Sequence, residues 1–227
     1  MGVDVAQLPR HIAFIMDGNG RWARRQGKNR TYGHRAGVKT VRELVKACRA
    51  IGVQVMTVFA FSTENWRRPG DEVNFLMCLF EDVIKNELKE LASNSVQIRF
   101  IGERSGLSTK LQQIMRDAEI ETAANNRLIL NVAINYGGRN EILRAVARIA
   151  EQARLGQIAP EAIDEALFDS HLDTAGQPDP DLVIRTGGEA RLSNYLLWQL
   201  AYAEIYVTDT MWPEFGDDGL FRAIVDY

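Results

Sequence analysis

Six short apolar runs recur along the chain, at Ile12–Met16, Val53–Phe61, Val96–Ile101, Leu128–Ile134, Leu182–Ile184 and Ile205–Val207. They are rich in Val, Ile, Leu and Phe and read as strands. Most of the intervals between them carry helical periodicity, which is the pattern of a largely parallel sheet covered by helices. The expectation is one α/β domain spanning residues 1–227, with about six mostly parallel strands flanked by helices. No repeat, low-complexity block or long linker divides it. The strongest breaker cluster, Ala175-Gly176-Gln177-Pro178-Asp179-Pro180-Asp181, reads as a turn.

One predicted helix is apolar over an unusually wide arc. From Asp71 to Leu91, the residues Val73, Leu76, Met77, Phe80, Val83, Ile84, Leu88 and Leu91 form a stripe that Phe75, Cys78 and Leu79 widen. Periodicity alone fits two readings equally well. The helix is either deeply buried in the core or lines a pocket for an apolar ligand.

The composition, 46% hydrophobic and 25% charged, is that of an ordinary soluble globular protein. A formal net charge of −3 argues against a general polyanion binder, so nucleic acid is not an expected partner. Cys48 and Cys78 show neither a CxxC pair nor a Cys/His ligand spacing. That favours a reducing compartment, no zinc site, and a buried inert thiol at each position. The segment Met1–Ala6 has neither a secretory nor a myristoylation pattern, and no run approaches the roughly eighteen apolar residues of a membrane span. A cytoplasmic location is expected, with peripheral membrane contact left open.

The charge is unevenly placed. Between Gly18 and Arg42 stand Arg21, Arg24, Arg25, Lys28, Arg30, Arg35, Lys39 and Arg42, without one Asp or Glu. The segment opens with Asp17-Gly18-Asn19-Gly20-Arg21-Trp22 directly after the first strand. Backbone N–H groups at such a turn can point at a phosphate, and glycine lets the ligand approach the chain. A lone carboxylate, Asp17, beside a phosphate site is costly unless a divalent cation lies between them. Magnesium binds through one or two carboxylates plus substrate phosphates.

Two further clusters follow strands. Phe61-Ser62-Thr63-Glu64-Asn65-Trp66-Arg67-Arg68-Pro69 places hydroxyl, amide, carboxylate, indole and guanidinium groups in one loop, in which Ser62 or Asn65 would serve equally as turn caps and Trp66 as a core plug. Arg185-Thr186-Gly187-Gly188-Glu189-Ala190-Arg191-Leu192-Ser193, with Glu204 beyond it, reads as a second anion site or as a turn with exposed arginines. Neither glycine turn is a Walker A loop or a dinucleotide fingerprint. Two anion sites, one metal-capable carboxylate and an apolar helix suggest two diphosphates, at least one carrying a long hydrocarbon.

Several long segments resemble the bacterial cis-prenyltransferases, in the family's order and from His11 to about Phe215. They are His11 to Trp22, Gly33-His34-Arg35-Ala36-Gly37, Phe61 to Trp66, Asn135-Tyr136-Gly137-Gly138-Arg139 and Asp181 to Glu189. The resemblance implies sequential condensation of isopentenyl diphosphate onto farnesyl diphosphate, giving undecaprenyl diphosphate, the lipid carrier precursor for cell-wall polymers. It implies an apolar tunnel for the growing chain, a magnesium ion and a homodimer. By position it gives Asp17 and Asn65 catalytic roles. Gly18, Asn19, Gly20, Arg21, Trp22, Arg30, His34, Ser62, Thr63, Glu64, Trp66 and Arg68 would meet the allylic substrate, with Trp66 against the reacting prenyl groups. Arg185, Arg191, Leu192 and Ser193 would meet isopentenyl diphosphate, and Glu204 would join Asp17 at the metal, from the same chain or a partner. Leu128 falls where the tunnel floor would stop elongation. Family members continue into an arginine-rich, glycine-containing tail over the isopentenyl site, which is expected to be missing from a sequence ending at Tyr227. A non-catalytic lipid-binding subunit of the same fold, or a cis-prenyltransferase of different product length, remains open at this point.

Overall fold

The computed structural model describes residues 8–227, so the reading of Met1–Ala6 lies outside the described residues. The strands form where the apolar runs predict them: β1 (His11–Ile15), β2 (Val55–Ser62), β3 (Val96–Ile101), β4 (Leu128–Tyr136), β5 (Leu182–Arg185) and β6 (Glu204–Val207). They make one sheet in the order β3-β4-β2-β1-β5-β6, and every pairing is parallel. The expected mostly parallel sheet is therefore wholly parallel. Helices cover it: α1 (Asn19–Arg25), α2 (Arg30–Ile51), α3 (Gly70–Ser93), α4 (Thr109–Thr122), α5 (Gly138–Arg154), the short α6 (Glu165–Asp169) and α7 (Trp212–Asp226). All five residues of β1 are buried, as in a central strand covered on both faces.

Strand order positions the site. The chain leaves β1 toward β2 on one side and leaves β5 toward β6 on the other, so neighbouring β1 and β5 flank a switch in direction. A crevice opens beyond the carboxyl ends of strands at such a switch, and ligands bind there. Asp17 follows β1 and Arg185 ends β5.

Two glycines make the local geometry possible. Gly18 precedes α1 with φ +103°, and a Cβ there would meet the Met211 side chain at 2.9 Å. Gly33 in α2 lets α1 approach closely, because a Cβ would lie 2.0 Å from the Asn19 carbonyl oxygen. The wide arc of α3 resolves into two uses. Val73 and Leu76 are buried in a core cluster, while Leu79, Phe80, Val83, Ile84 and Leu91 line a cavity of about 220 Å³ together with Leu76. Val41 and Val45 of α2, with Val58, Leu130 and Val132 of the sheet, complete its apolar wall. Leu128 is fully buried in the core and does not line the cavity. It precedes Leu130 by two residues on β4, hence on the same face, one layer below.

The thiols separate. Cys48 is buried, and burial pushes its pKa up to about 12. Cys78 is exposed, contrary to the expectation, because it falls on the solvent side of α3.

Candidate active site

Asp17 is fixed from three directions at the mouth of the β1–β5 crevice. Arg185 Nη2 donates to its Oδ2 at 3.0 Å, Arg21 Nη2 stands 3.3 Å from Oδ1, and the Gly18 N–H donates to Oδ1 at 2.6 Å. Burial alone would raise its pKa. The Arg185 hydrogen bond, the Gly18 N–H and the two guanidinium charges outweigh burial and hold the carboxyl below its ordinary value. Asp17 is therefore anionic at neutral pH.

Arg185 is 5% exposed, and it organises the loop behind it. Its Nη1 donates to Ser193 Oγ at 2.7 Å and to the Arg191 carbonyl. Among the described residues its Nε is buried without a partner. Ser193 and Asn194 both take positive φ, bending the loop back over the crevice. Asn194 Nδ2 then donates to Glu64 Oε1 at 2.9 Å, which ties this loop to the segment after β2.

That segment is a 3-10 turn, Thr63–Arg67, rather than an open loop. The Ser62 N–H donates to Asn65 Oδ1 at 3.2 Å, so the capping role open to this pair in the sequence is used. Asn65 keeps its amide donors for the crevice it lines. The crevice brings together Asp17, Ser62, Glu64, Asn65, Arg68, Arg185, Arg191 and Ser193. The two anion sites read from the sequence are thus one continuous cleft. Asn65, Arg68, Met16 and Phe59 line both this cleft and the apolar cavity, so the two adjoin.

On the cavity side, the sequence reading missed Glu72. This carboxylate of the first turn of α3 is 9% exposed and faces two arginines and a histidine. Arg68 Nη1 donates to its Oε1 at 3.0 Å, with Arg30 Nε and His34 Nε2 each at 3.5 Å. His34 Nε2 is buried and makes no hydrogen bond among the described residues. Burial and the Arg68 charge lower the His34 pKa against the opposing pull of Glu72, leaving a neutral imidazole at pH 7. In sequence Glu72 looks like an ordinary acid at a helix start, where the dipole favours one. Only the fold reveals its three partners.

Other expected residues lie at the margins. Asn19 lines the cavity with its Oδ1 buried and, among the described residues, unpartnered. Gly18 and Gly20 shape the α1 turn, where a Cβ on Gly20 would press on Arg30 at 3.0 Å. Thr63 packs under Gly137, with its Oγ1 2.7 Å from where a Cβ would stand. Trp22 stacks on Tyr32 with ring centroids 5.8 Å apart and donates to Glu214, so it braces α1. Leu192 packs on an apolar cluster beneath the 191–194 loop. Trp66 lines neither cavity nor cleft. It is 40% exposed, meets Phe61 edge-on and donates to Asn135 Oδ1 at 2.7 Å. Glu204 opens β6 at the register of Leu182, three residues before the Arg185 level, and is exposed. Within its own chain it does not join Asp17.

A cleft rich in fixed cationic and N–H donors, opening directly onto an apolar cavity, is the arrangement that suits an amphipathic anion. The comparisons supply the family. The prenyltransferase family model described as "Putative undecaprenyl diphosphate synthase" matches residues 15–227, and the chain belongs to that family. It is 50% identical to an isoprenyl transferase of Prochlorococcus marinus subsp. pastoris over 225 residues, 99% of this chain and 83% of that protein. It is 51% identical to the (2E,6E)-farnesyl-diphosphate-specific ditrans,polycis-undecaprenyl-diphosphate synthase of Xanthomonas axonopodis pv. citri, over 98% of this chain and 86% of that protein. Among solved structures, lavandulyl diphosphate synthase from Lavandula x intermedia in complex with dimethylallyl diphosphate superposes with a TM-score of 0.95. Identity is 37%, covering 98% of this chain and 96% of that one. A probable undecaprenyl diphosphate synthase from Campylobacter jejuni gives 0.79 at 34% identity, covering 96% and 94%.

Proposed function

We propose that this protein elongates a prenyl chain in cis, condensing isopentenyl diphosphate onto farnesyl diphosphate through to undecaprenyl diphosphate. The observation that carries the reading is the continuity of an anion-binding cleft with an apolar cavity, the two halves of an amphipathic substrate. The allylic diphosphate lies toward His34, Arg68 and the Gly18–Arg21 turn, with its hydrocarbon in the cavity. Isopentenyl diphosphate lies toward Arg185, Arg191 and Ser193. Fixed donors of this kind stabilise the charge that develops on the leaving diphosphate without reorganising. His34 Nε2 and Arg185 Nε, buried and unpartnered among the described residues, support this placement, since buried polar nitrogens need a hydrogen-bond partner.

Bond formation joins C1 of the allylic chain to C4 of isopentenyl diphosphate, expels diphosphate and removes a C2 proton. An amide is a poor base, so Asn65 orients the incoming substrate and an oxygen of the departing diphosphate takes the proton. Asp17 fits a magnesium site. It is a carboxylate held anionic on the cleft wall, and one such ligand plus substrate phosphates is a usual magnesium set. When bound, the ion neutralises charge on the departing diphosphate.

The homodimer and membrane readings have their own support. Edge strand β6 exposes Ile205 (62%) and Val207, next to a fully exposed Tyr202, and a second copy would cover them. Glu204 lies on that strand, so a partner's site is where it would meet magnesium. Among the described residues, Arg21, Arg30, Lys39 and Arg42 of the basic run pair with carboxylates, whereas the exposed Arg24, Arg25, Lys28 and Arg35 do not. These four suit transient contact with an anionic membrane. No helix among the described residues is long and apolar enough to cross one. The free cysteines favour the cytoplasm.

The test is to incubate the protein with magnesium, farnesyl diphosphate, labelled isopentenyl diphosphate and detergent, then resolve dephosphorylated products by length. A ladder ending near eleven isoprene units is expected. A ladder stopping elsewhere would assign a different product length. No elongation would turn the assignment to a non-catalytic lipid-binding subunit.

A further inference from the structure

Two loops carry the two substrate sides of the cleft. Glu64, Asn65 and Arg68 follow β2, on the allylic side, while Arg191 and Ser193 follow β5, on the isopentenyl side. Beside them β4 runs into α5 through Asn135-Tyr136-Gly137-Gly138-Arg139, none of which lines the cleft or the cavity.

Asn194 joins all three elements. The first N–H groups of a helix have no acceptor within it, and Gly137, preceding α5, has no side chain to offer one. Asn194 supplies the acceptors from its own loop. Its Oδ1 receives the Arg139 N–H at 2.9 Å and its carbonyl receives the Gly138 N–H at 2.7 Å. On its other side Nδ2 donates to Glu64 Oε1 at 2.9 Å. The fit is close, since a Cβ on Gly137 would stand 2.8 Å from Asn194 Nδ2 and 2.7 Å from Thr63 Oγ1. Asn194 directly follows Ser193, and Glu64 directly precedes Asn65.

The partners dictate the residue type. A backbone N–H only donates. Burial would raise the Glu64 pKa, but hydrogen bonds led by that from Asn194 hold the carboxyl below its ordinary value, so at neutral pH it only accepts. The side chain between them must be short, donate on one side, accept on the other and tolerate φ +62°. Asn meets all of these, whereas an ionised Asp tolerates the backbone but has no donor.

We propose that Asn194 is a positioning residue, which fixes the span between the isopentenyl loop and the Asn65 turn by keying both to the start of α5. It thereby sets the approach of C4 of isopentenyl diphosphate to C1 of the allylic chain. An error of about 1 Å in such a span costs up to about 10²-fold in rate while binding at each end persists. This inference rests on the elongation reading above.

The experiment is a double-mutant cycle on Asn194→Asp and Glu64→Gln. Asn194→Asp keeps the acceptor for the Arg139 N–H and the tolerance of positive φ, but it sets two carboxylates against each other. Adding Glu64→Gln lets the introduced amide donate to the introduced carboxylate, so the tie returns with donor and acceptor exchanged. Initial rates of the first condensation, with magnesium, farnesyl diphosphate and labelled isopentenyl diphosphate, give kcat and both KM values, and thermal unfolding reports the fold. Asn194→Asp should lower kcat at least about tenfold in the wild-type background and less than about threefold in the Glu64→Gln background. Each KM should stay within about threefold of its parent's value. A kcat loss of equal size in both backgrounds would overturn the proposal, as would a change confined to KM. Unfolding of Asn194→Asp below the assay temperature would assign Asn194 to stability and overturn the positioning role. Wild-type protein that performs no condensation at all would overturn the elongation reading, and this role with it. Wild-type condensation with an indifferent Asn194→Asp would sink the positioning role alone.

Discussion

Asp17 and Glu72 are both carboxylates among arginines, and their surroundings give them different work. Asp17 faces the cleft, where Arg185 and Arg21 hold it ionised. Glu72 is withdrawn behind Arg68, where it keeps Arg30, His34 and Arg68 converged without presenting its own charge to the cleft. Replacing Asp17 by Ala should lower steady-state turnover by roughly 10²–10³, the scale of losing one transition-state stabilising group. Circular dichroism should show the fold intact, and near-wild-type turnover would falsify the assignment. Since the Asp17 pKa lies below its ordinary value, its ionisation stays complete from pH 8 down to 5, and any acid loss of activity in that range belongs to another group. Arg191 is the more exposed arginine, 60% accessible and paired with Glu189. Arg191→Ala should chiefly raise the KM for isopentenyl diphosphate, by the equivalent of about 1.5–3 kcal/mol for a lost charged hydrogen bond. An effect confined to farnesyl diphosphate would exchange the two sites. At this scale the sequence disclosed which residue types gather after each strand. It did not disclose Glu72, whose meaning depends on α2 and α3 meeting across many residues. It offered Trp66 both as a core plug and as a contact of the prenyl groups, and in the structure the indole donates to Asn135.

Elements were legible to the extent that one periodicity served one purpose. The six strands appeared within two residues of their apolar runs, because buried parallel strands need uninterrupted bulk there, although the edge strand β6 keeps Ile205 and Val207 exposed. The α3 pattern was ambiguous because one helix does two jobs, packing on the core with Val73 and Leu76 and lining the cavity with its next three turns. The 3-10 turn after β2 was hidden for a similar reason. Ser62 and Asn65 serve as a cap and as cleft lining at once. The strand β4 carries an elemental prediction of its own. Leu128 closes the layer beneath Leu130, so Leu128→Ala should extend the cavity downward and lengthen the products. It should also cost about 2–5 kcal/mol of stability, the range for truncating a buried leucine. Denaturant unfolding and the product ladder measure the two effects separately. A destabilised protein with an unchanged ladder would remove Leu128 from the floor.

Across the whole molecule the two ends of the sheet are specialised. Ligand chemistry gathers at the carboxyl ends of the strands, while the opposite end is stitched by a buried polar chain that crosses three central strands. His11 of β1 contacts the Pro178 carbonyl through Nδ1 at 2.8 Å and Thr57 of β2 through Nε2 at 2.7 Å. Asn131 of β4 donates to Thr57 at 3.0 Å and to Gln177 at 2.6 Å, and Asp181 receives the His11 backbone N–H at 2.9 Å. The apolar run Ile12–Met16 announced the strand, but nothing in its spacing announced this chain, which exists only because β2 lies between β1 and β4. Burial lowers the His11 pKa from 6.5 to about 4, against smaller upward pulls from the Pro178 carbonyl and Asp181. In the unfolded chain the imidazole takes up a proton near pH 6.5, whereas in the folded protein it stays neutral until about pH 4. The unfolded state then binds more protons across that window, so stability declines as pH falls through it, by about 3 kcal/mol at the acid end. His11→Gln removes the titration while retaining a donor and an acceptor. Urea unfolding at pH 7 and pH 4 should therefore show the wild type losing about 3 kcal/mol more than the variant. Parallel losses in the two proteins would mean that the acid sensitivity arises elsewhere and that the His11 junction tolerates a charge.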